Sequence, residues 1–194
     1  MYLIRKASLT VIACAMLLVV GTVLAQAADR FIDNGDGTIS DTQTGLMWEK
    51  KTGTPSGLPD HSNVHDVKNR YVWSDLGGAP NGSAFTKFLY GLNGGTSPNG
   101  TSTSGCFAGH CDWRLPLIEE LAGIVDQLQG LCGGGRSGAC IDPIFGPTMP
   151  SAYWSATTNA RFPGRAWGSD FDGGPAGSGH KIGPFYVRAV RSGL

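Results

Sequence analysis

The chain has 194 residues, a formal net charge of zero, only 15% charged residues and 30 glycines. This length is enough for one ordinary domain with a hydrophobic core. The glycine-rich, weakly charged composition favours a loop-rich globular domain over a helical bundle or a disordered chain. The sequence has no basic stripe, which argues against nucleic acid as a partner.

The first 28 residues have the three parts of a secretory signal peptide. Two basic residues precede an almost unbroken apolar run from Leu9 to Leu24, and Ala25-Gln26-Ala27 supplies the small residues of a cleavage site. We therefore predict a signal peptide over 1–28 and an exported domain over 29–194, periplasmic or extracellular. The mature chain then has a formal net charge of −2. No later apolar segment is long enough to span a bilayer, so we expect no membrane span after cleavage.

The acidic stretch RFIDNGDGTISD, residues 30–41, has the composition of a calcium-binding loop. In the register that makes Asn34 and Asp36 ligands, however, the first and twelfth loop positions are Ile32 and Gln43, and neither supplies a carboxylate. The run Asn-Gly-Asp-Gly is strong turn chemistry. We therefore predict a β-meander with no metal site, whose aspartates cap turns; weak calcium binding is the alternative left open. The predicted strands cover residues 31–32, 38–40 and 46–48.

The next segment, 53–69, is polar and contains His61 and His65 at a spacing that would share one helix face. Proline and glycine residues precede the pair and no third metal ligand is obvious. We therefore interpret both as surface histidines in a loop rather than as metal ligands.

Two segments have the spacing of amphipathic helices. Residues 83–92 place four apolar side chains on one face, with Ser83 as the predicted N-cap. The second helix follows Pro116 and repeats apolar residues as far as Leu128. Glu119 and Glu120 lie in its first turns, where the helix dipole favours negative charge. These glutamates point about 100° apart, so we interpret them as a solvated helix start and not as an acid–base pair; a hydrogen bond between the backbone and the side chain of Glu119 or Glu120 is the alternative left open. Strands are predicted afterwards at residues 153–157, 166–172 and 185–191.

Four cysteines remain after signal cleavage, and an even number in an oxidising compartment predicts two disulfides. We favour pairing Cys106 with Cys111 and Cys132 with Cys140, because each pair brackets a short glycine-containing loop. A metal site with His110 beside Cys111 is the alternative. The spacing matches no standard zinc pattern, so no metal ligand is assigned.

Five segments stand in an order typical of one protein family: DNGDGTISDTQTGLMWEK, DWRLPLIEEL, AYWSATTNA, AWGSDFDGG and FYVRAVRSG. Together they resemble the DUF1566 family, also called the Lcl C-terminal domain family after a collagen-like adhesin. The resemblance covers residues 30–193. It implies a loop-rich α+β domain of the C-type lectin-like fold, with two helices packed on antiparallel sheets. The adhesin's domain binds sulfated glycosaminoglycans, and the family has no common biochemical activity.

The chain departs from the two specific activities that related proteins have. Calcium-dependent lectins use Glu-Pro-Asn or Gln-Pro-Asp followed by Trp-Asn-Asp, whereas the nearest strings here are Ser97-Pro98-Asn99 and Cys111-Asp112-Trp113. Formylglycine-generating enzymes need cysteines near the chain end, and none follows Cys140. We therefore predict no enzyme and no cofactor. The low positive charge of the mature chain also argues against a sulfated glycosaminoglycan ligand.

The sequence favours an exported, adhesin-like binding domain for a polysaccharide or a cell-surface partner. Sugars stack on aromatic rings beside carboxylates and amides, so Trp167 with Asp170 and Asp172 is the first candidate cluster. The second is Trp73 with Asp75 and Asn81. The other interpretations are a structural or assembly component of the cell envelope and an uncharacterised enzyme. An exposed apolar patch near Phe107 or Phe162 would favour the envelope role. Three further tryptophans are predicted to lie in the core: Trp48, Trp113 and Trp154.

Overall fold

The computed structural model describes residues 29–95, 105–126, 138–173 and 175–193. The predicted signal peptide and Cys132 lie outside the described residues, so neither the cleavage nor the pairing of Cys132 with Cys140 is tested. The other predicted disulfide, between Cys106 and Cys111, is present. No helix in the described ranges is long and apolar enough to cross a membrane.

The described chain is mostly sheet, with a few short helices and long connections. Three antiparallel sheets have the strand orders β1-β2-β3-β9, β4-β8 and β5-β6-β7. The nine strands of the described ranges are β1 (Phe31–Asp33), β2 (Thr38–Asp41), β3 (Leu46–Glu49), β4 (Tyr71–Val72), β5 (Ala152–Thr158), β6 (Arg165–Asp170), β7 (Gly177–His180), β8 (Pro184–Phe185) and β9 (Val190–Ser192). This composition is consistent with the predicted loop-rich α+β class.

The predicted meander over β1, β2 and β3 is confirmed, and so is the turn interpretation of the acidic stretch. The carboxylate of each aspartate accepts a hydrogen bond from the backbone N–H two residues further on, at 3.0 Å in each case. Gly35 and Gly37 have φ of +79° and +90°, which only glycine adopts without strain. The aspartates that close these turns are Asp33, Asp36 and Asp41.

The last strand returns to the first sheet. β9 pairs with β3, and Arg114 forms an isolated bridge to Val190 of β9. The segment Trp-Arg-Leu-Pro, residues 113–116 and called the WRLP segment below, is therefore attached beside β9. The predicted strand over 185–191 is interrupted, because β8 pairs with β4 in a different sheet. The interruption contains Arg188, whose fully buried guanidinium donates to the carbonyl oxygens of Glu49 and Phe145 at 2.8 and 2.9 Å.

The two predicted helices are present but shorter or less regular than expected. A π-helical stretch, Ala84–Leu89, continues into the single turn Tyr90–Leu92, and together they form α1. Ser83 does not cap it: the Ser83 hydroxyl accepts a hydrogen bond from the Val72 N–H at 2.9 Å and ties the helix to β4. The second helix, α2 (Ile118–Ala122), ends at Gly123, so the predicted continuation through 124–126 is wrong. Shorter 3₁₀ turns lie at Phe107–Gly109 and Pro143–Phe145.

The buried apolar side chains form two clusters. One is centred on α1 and Trp154, and the other lies between β2, β3 and α2. Trp48, Trp113 and Trp154 are all buried, as predicted. Phe107 packs against the α1 cluster, so it does not form an exposed patch.

Candidate functional site

A concave site lies on the sheet β5-β6-β7. Its cavity has a volume of about 190 Å³ and is lined by Gly168, Asp170, Gly177, Ser178, Gly179 and Phe185, together with Ala152 and Pro175. Side chains alternate faces along a strand, so Gly168 and Asp170 of β6 share one face and Gly177 and Gly179 of β7 share one face. Gly168 pairs with Gly177 in the ladder, which places two residues without side chains next to each other.

Glycine is required at two of these positions because other atoms approach the backbone closely. A Cβ on Gly168 would lie 2.6 Å from the carbonyl oxygen of Tyr153, and one on Gly179 would lie 2.6 Å from the Phe185 ring. Gly177 is different, since a Cβ there would meet nothing within 4 Å. The sheet therefore exposes backbone without side chains at this point, and the space that side chains would otherwise fill is the cavity.

Phe185 supplies the aromatic wall of the cavity. Its half-buried ring stacks on the buried Trp154 indole with centroids 4.1 Å apart and planes 19° apart. The Trp154 Nε1–H donates to the carbonyl oxygen of Tyr71 at 3.0 Å, which holds the stack against β4. An aromatic ring held this rigidly suits stacking against the apolar face of a sugar, because little side-chain entropy is lost on binding.

Asp170 supplies the charged group of the cavity. Its half-buried carboxylate accepts one hydrogen bond, from the Asp172 N–H to Oδ1 at 3.0 Å, and no described residue donates to Oδ2. A carboxylate oxygen with spare acceptor capacity beside an aromatic ring is suited to binding hydroxyl or ammonium groups. The same charge disfavours sulfate groups in the cavity.

The structure separates the residues of the predicted binding clusters. Trp167 and Asp170 are three positions apart on β6, so their side chains lie on opposite faces and do not form one surface. Asp172 follows the end of β6 and does not line the cavity. Trp73 lies in the core: it is 4% exposed, its Nε1–H donates to the carbonyl oxygen of Ser155, and the Lys181 ammonium sits 3.9 Å from its ring. Its ring therefore offers no face to a ligand.

Sequence reasoning missed Phe185 and the whole of β7. The sequence signal was present but weak: the string GSGH alternates glycine with polar residues, which is the spacing of a strand with one bare face. Glycine is depleted in strands, so such a string is normally assigned to a loop.

A second cavity, of about 330 Å³, lies between α2 and the meander. Arg30 donates to both oxygens of Asp41, at 3.0 and 2.7 Å, and to the Gly123 carbonyl oxygen at 3.0 Å. Arg114 donates to both oxygens of Glu120 at 2.7 Å. These charged side chains form ion pairs that connect elements of the fold, so their charges are already satisfied and are not available to bind a ligand. The charged lining residue outside these pairs is Glu119, which is exposed.

The prediction of a solvated helix start holds for Glu119, and Glu120 fits the alternative that one of the two glutamates bonds the backbone. Glu120 also accepts a hydrogen bond from the Leu117 N–H at 2.7 Å, which satisfies a donor at the helix start. Burial alone would raise the pKa of this carboxyl, but the hydrogen bonds from Arg114 and the Leu117 N–H hold it below its ordinary value. Glu120 therefore joins α2 to the WRLP segment.

Replacement of Glu120 by Ala is expected to lower the free energy of unfolding by about 1–2 kcal/mol, because it removes a helix cap and one partner of a bidentate ion pair. The matched control is Glu119→Ala on the same helix, for which we expect a change within about 0.5 kcal/mol. Urea denaturation of both variants measures the difference. Equal losses for the two variants would contradict the capping role.

A cluster of ionisable groups is buried between β3 and the loop 51–69. Glu49, which is fully buried, accepts from the Lys51 ammonium and from His65 Nδ1 at 2.8 Å each, and from the Ala189 N–H at 3.0 Å. The interpretation of His65 as a surface histidine is therefore wrong, although His61 is exposed. The His65 ring also packs against Phe107, with centroids 4.3 Å apart. Within the described ranges, no group of three or more His, Cys, Asp or Glu is arranged to hold a metal ion.

The fold and the cavity define a class: a loop-rich, mostly β domain with a concave sheet surface that combines an aromatic ring with a carboxylate. The sequence agrees with the family model of the Lcl C-terminal domain over residues 37–191, and the chain belongs to that family. The family resemblance seen in the five sequence segments is thereby confirmed. None of the curated proteins compared with the chain matches it.

Proposed function

We propose that this chain is an exported, non-catalytic binding domain, and that its ligand is a polysaccharide taken at the cavity of the β5-β6-β7 sheet. The observation that carries the proposal is the combination of Phe185, the Asp170 carboxylate and bare glycine backbone in one concave site. In this proposal the apolar face of a sugar stacks on the Phe185 ring, and the Asp170 carboxylate accepts hydrogen bonds from the sugar hydroxyls. The glycines leave room for the sugar ring because they have no side chains. A volume of about 190 Å³ is suited to one sugar residue of a chain.

The charge of the site selects among polysaccharides. Asp170 is the charged side chain among the residues that line the cavity, and the mature chain is also net negative. Neutral or amine-bearing sugars are therefore the favoured class, and sulfated glycosaminoglycans are disfavoured. A single carboxylate supports binding without hydrolysis, since glycosidases use a pair of carboxyl groups across the bond that is broken. Membership of the family, together with the predicted signal peptide, supports a C-type lectin-like domain outside the cytoplasm.

The test compares two carboxylates that lie two positions apart. Asp170→Asn is expected to weaken binding to a responding neutral or amino-sugar oligosaccharide by about tenfold, because a charge-assisted hydrogen bond becomes a neutral one. Asp172→Asn is the matched control, and we expect it to leave the affinity unchanged. Isothermal titration of the mature domain measures both affinities. A loss of affinity in Asp172→Asn alone, or in neither variant, would contradict the assigned site.

A second candidate function is a structural or assembly role in the cell envelope without a small ligand. It is favoured by one observation, namely that several large apolar side chains are exposed, among them Phe162 at 52%. Monomeric soluble domains expose few contiguous apolar residues of this size unless the surface has a partner.

A further inference from the structure

Three large apolar side chains that are exposed to solvent come from three loops that meet. Leu76 is 90% exposed, Ile182 is 59% exposed and Phe162 is 52% exposed. Leu76 precedes Gly77 in the loop after β4, Phe162 lies in the turn between β5 and β6, and Ile182 lies in the turn between β7 and β8. We call these three residues the Phe162 patch.

Backbone contacts bring the three loops together at the base of the patch. The Lys181 N–H donates to the carbonyl oxygen of Gly164 at 3.0 Å, which joins the turn of Ile182 to the turn of Phe162. A Cβ on Gly164 would lie 3.6 Å from the Gly77 carbonyl oxygen, and one on Gly77 would lie 3.8 Å from the Ile182 side chain. The Lys181 ammonium also donates to the carbonyl oxygen of Gly78 at 2.9 Å. The three loops that carry the residues of the patch are therefore in contact with one another, although they are far apart in sequence.

Basic groups border the patch. The Arg161 and Arg165 guanidinium carbons lie 5.5 and 6.0 Å from the centre of the Phe162 ring. Arg165 also contacts His180, at 3.0 Å between its Nη2 and the imidazole Nε2. Asp75 is the acidic residue of the three loops, and the buried Lys181 lies beneath the patch over the Trp73 ring. The three loops together with Arg165, the first residue of β6, have a formal charge of +2, of which the buried Lys181 supplies one unit, whereas the mature chain as a whole has −2.

We propose that the Phe162 patch docks on the surface of an anionic phospholipid bilayer. Loop tips that expose Leu, Phe and Ile suit shallow insertion into the interfacial region, and arginines beside them suit lipid phosphates. Arg161 and Arg165 lie beside the exposed Phe162 ring, and their positive charge is complementary to the phosphates of an anionic bilayer, which is the reason for assigning this occupant. Docking goes beyond polysaccharide binding and does not depend on it, because the patch is made of residues that do not line the β5-β6-β7 cavity.

The test is sedimentation of the mature domain with vesicles of phosphatidylcholine containing about one-third phosphatidylglycerol, compared with vesicles of phosphatidylcholine alone. We expect binding to the anionic vesicles that weakens as salt is raised. Leu76→Ser is expected to lower the partition coefficient about tenfold, and Arg161→Gln about fivefold. The matched control is Leu58→Ser, since Leu58 is equally exposed, at 88%, but lies outside the patch. Leu58→Ser should bind like the unmodified domain.

Three outcomes would overturn the proposal. One is the absence of binding to anionic vesicles, and another is equal binding to both vesicle types. The third is a loss in Leu58→Ser as large as that in Leu76→Ser, which would indicate a general effect of surface apolarity. Analytical ultracentrifugation of the same variants distinguishes self-association: a dimer that Leu76→Ser dissociates, without vesicle binding, would assign the patch to a second copy instead. Far-UV circular dichroism confirms that each variant is folded.

Discussion

The substitution Glu49→Gln is expected to lower the free energy of unfolding by about 3–5 kcal/mol, as measured by urea denaturation of the mature domain. Gln has nearly the shape of Glu and retains an oxygen for the Ala189 N–H. What it removes is the charge that neutralises the buried Lys51 ammonium, 2.8 Å away, beside the fully buried Arg188. An uncompensated buried cation has a large desolvation cost, so the loss exceeds that of an ordinary polar substitution.

An exposed ion pair provides the control for Glu49. Asp33 pairs with Lys50 on the adjacent surface, where about a third of each side chain is exposed. Asp33→Asn is expected to change stability by less than about 1 kcal/mol, because exposed pairs are well solvated. Adding Lys51→Met to Glu49→Gln should recover part of the loss, since the unpaired ammonium is then gone. Similar losses in Glu49→Gln and Asp33→Asn would contradict the assigned importance of the buried cluster.

The same cluster predicts a particular loss of stability in acid. Burial alone would raise the pKa of Glu49, but the charge of Lys51 and the hydrogen bond from His65 lower it to about 2, from an ordinary value of 4.5. Because the folded-state pKa is the lower one, this contribution to stability is fully present above about pH 4.5 and is lost as the pH falls toward 2. In Glu49→Gln this part of the pH dependence should disappear, which denaturation series at several pH values measure.

The substitution Trp154→Ala is also expected to cost about 3–5 kcal/mol of unfolding free energy. Trp154 is fully buried in the α1 cluster, it stacks on Phe185, and its indole N–H bonds to the Tyr71 carbonyl oxygen. Alanine would leave a void in the core and would remove the burial, the stacking and the hydrogen bond together. Because Phe185 would lose its support, we also expect weaker oligosaccharide binding in this variant under conditions where it remains folded.

Two variants separate the contributions of Trp154. Trp154→Phe retains an apolar ring but loses the hydrogen bond, so we expect an intermediate loss of about 1–3 kcal/mol. Trp167→Ala removes a half-buried tryptophan from the opposite face of the same sheet and should cost about 1 kcal/mol. Urea denaturation measures the loss of unfolding free energy in the three variants Trp154→Ala, Trp154→Phe and Trp167→Ala. A loss for Trp167→Ala that equals the loss for Trp154→Ala would mean that the core has been assigned to the wrong face.

The sequence predicted the parts of the fold that depend on local chemistry. Asn-Gly-Asp-Gly is sufficient for the first turn of the meander, and the carboxylates that close these turns bond within their own segment. The β7 strand was missed because its glycines have little strand propensity, and its pairing with β6 arises from tertiary packing under Phe185. Ser83 was assigned as a cap because serine has that local role, but a distant partner, the Val72 N–H, bonds to its hydroxyl instead.

The candidate site was only partly predictable for the same reason. Asp170 was grouped with Trp167, which is three positions away and therefore on the opposite face of β6, whereas Phe185, which lines the cavity with Asp170, comes from a separate sheet. The period of a strand would have excluded the pairing of Trp167 with Asp170 from the sequence alone. Nothing in local spacing indicates that Phe185 lies over Gly179. His65 was likewise misassigned, because its partner Glu49 is 16 positions earlier.

The most direct test of the proposed function is an array of neutral, amino-substituted and sulfated glycans, probed with the mature domain and its Gly177→Val variant. Gly177 lines the cavity and a Cβ there would meet nothing within 4 Å, so we expect valine to occupy space in the cavity at little cost to the fold; Gly78→Val, at an equally open glycine, is the control. We expect binding to neutral or amino sugars that persists in EDTA and is lost in Gly177→Val alone. Binding that requires calcium, selects sulfated glycans or survives Gly177→Val would contradict the account, as would an array without any bound glycan.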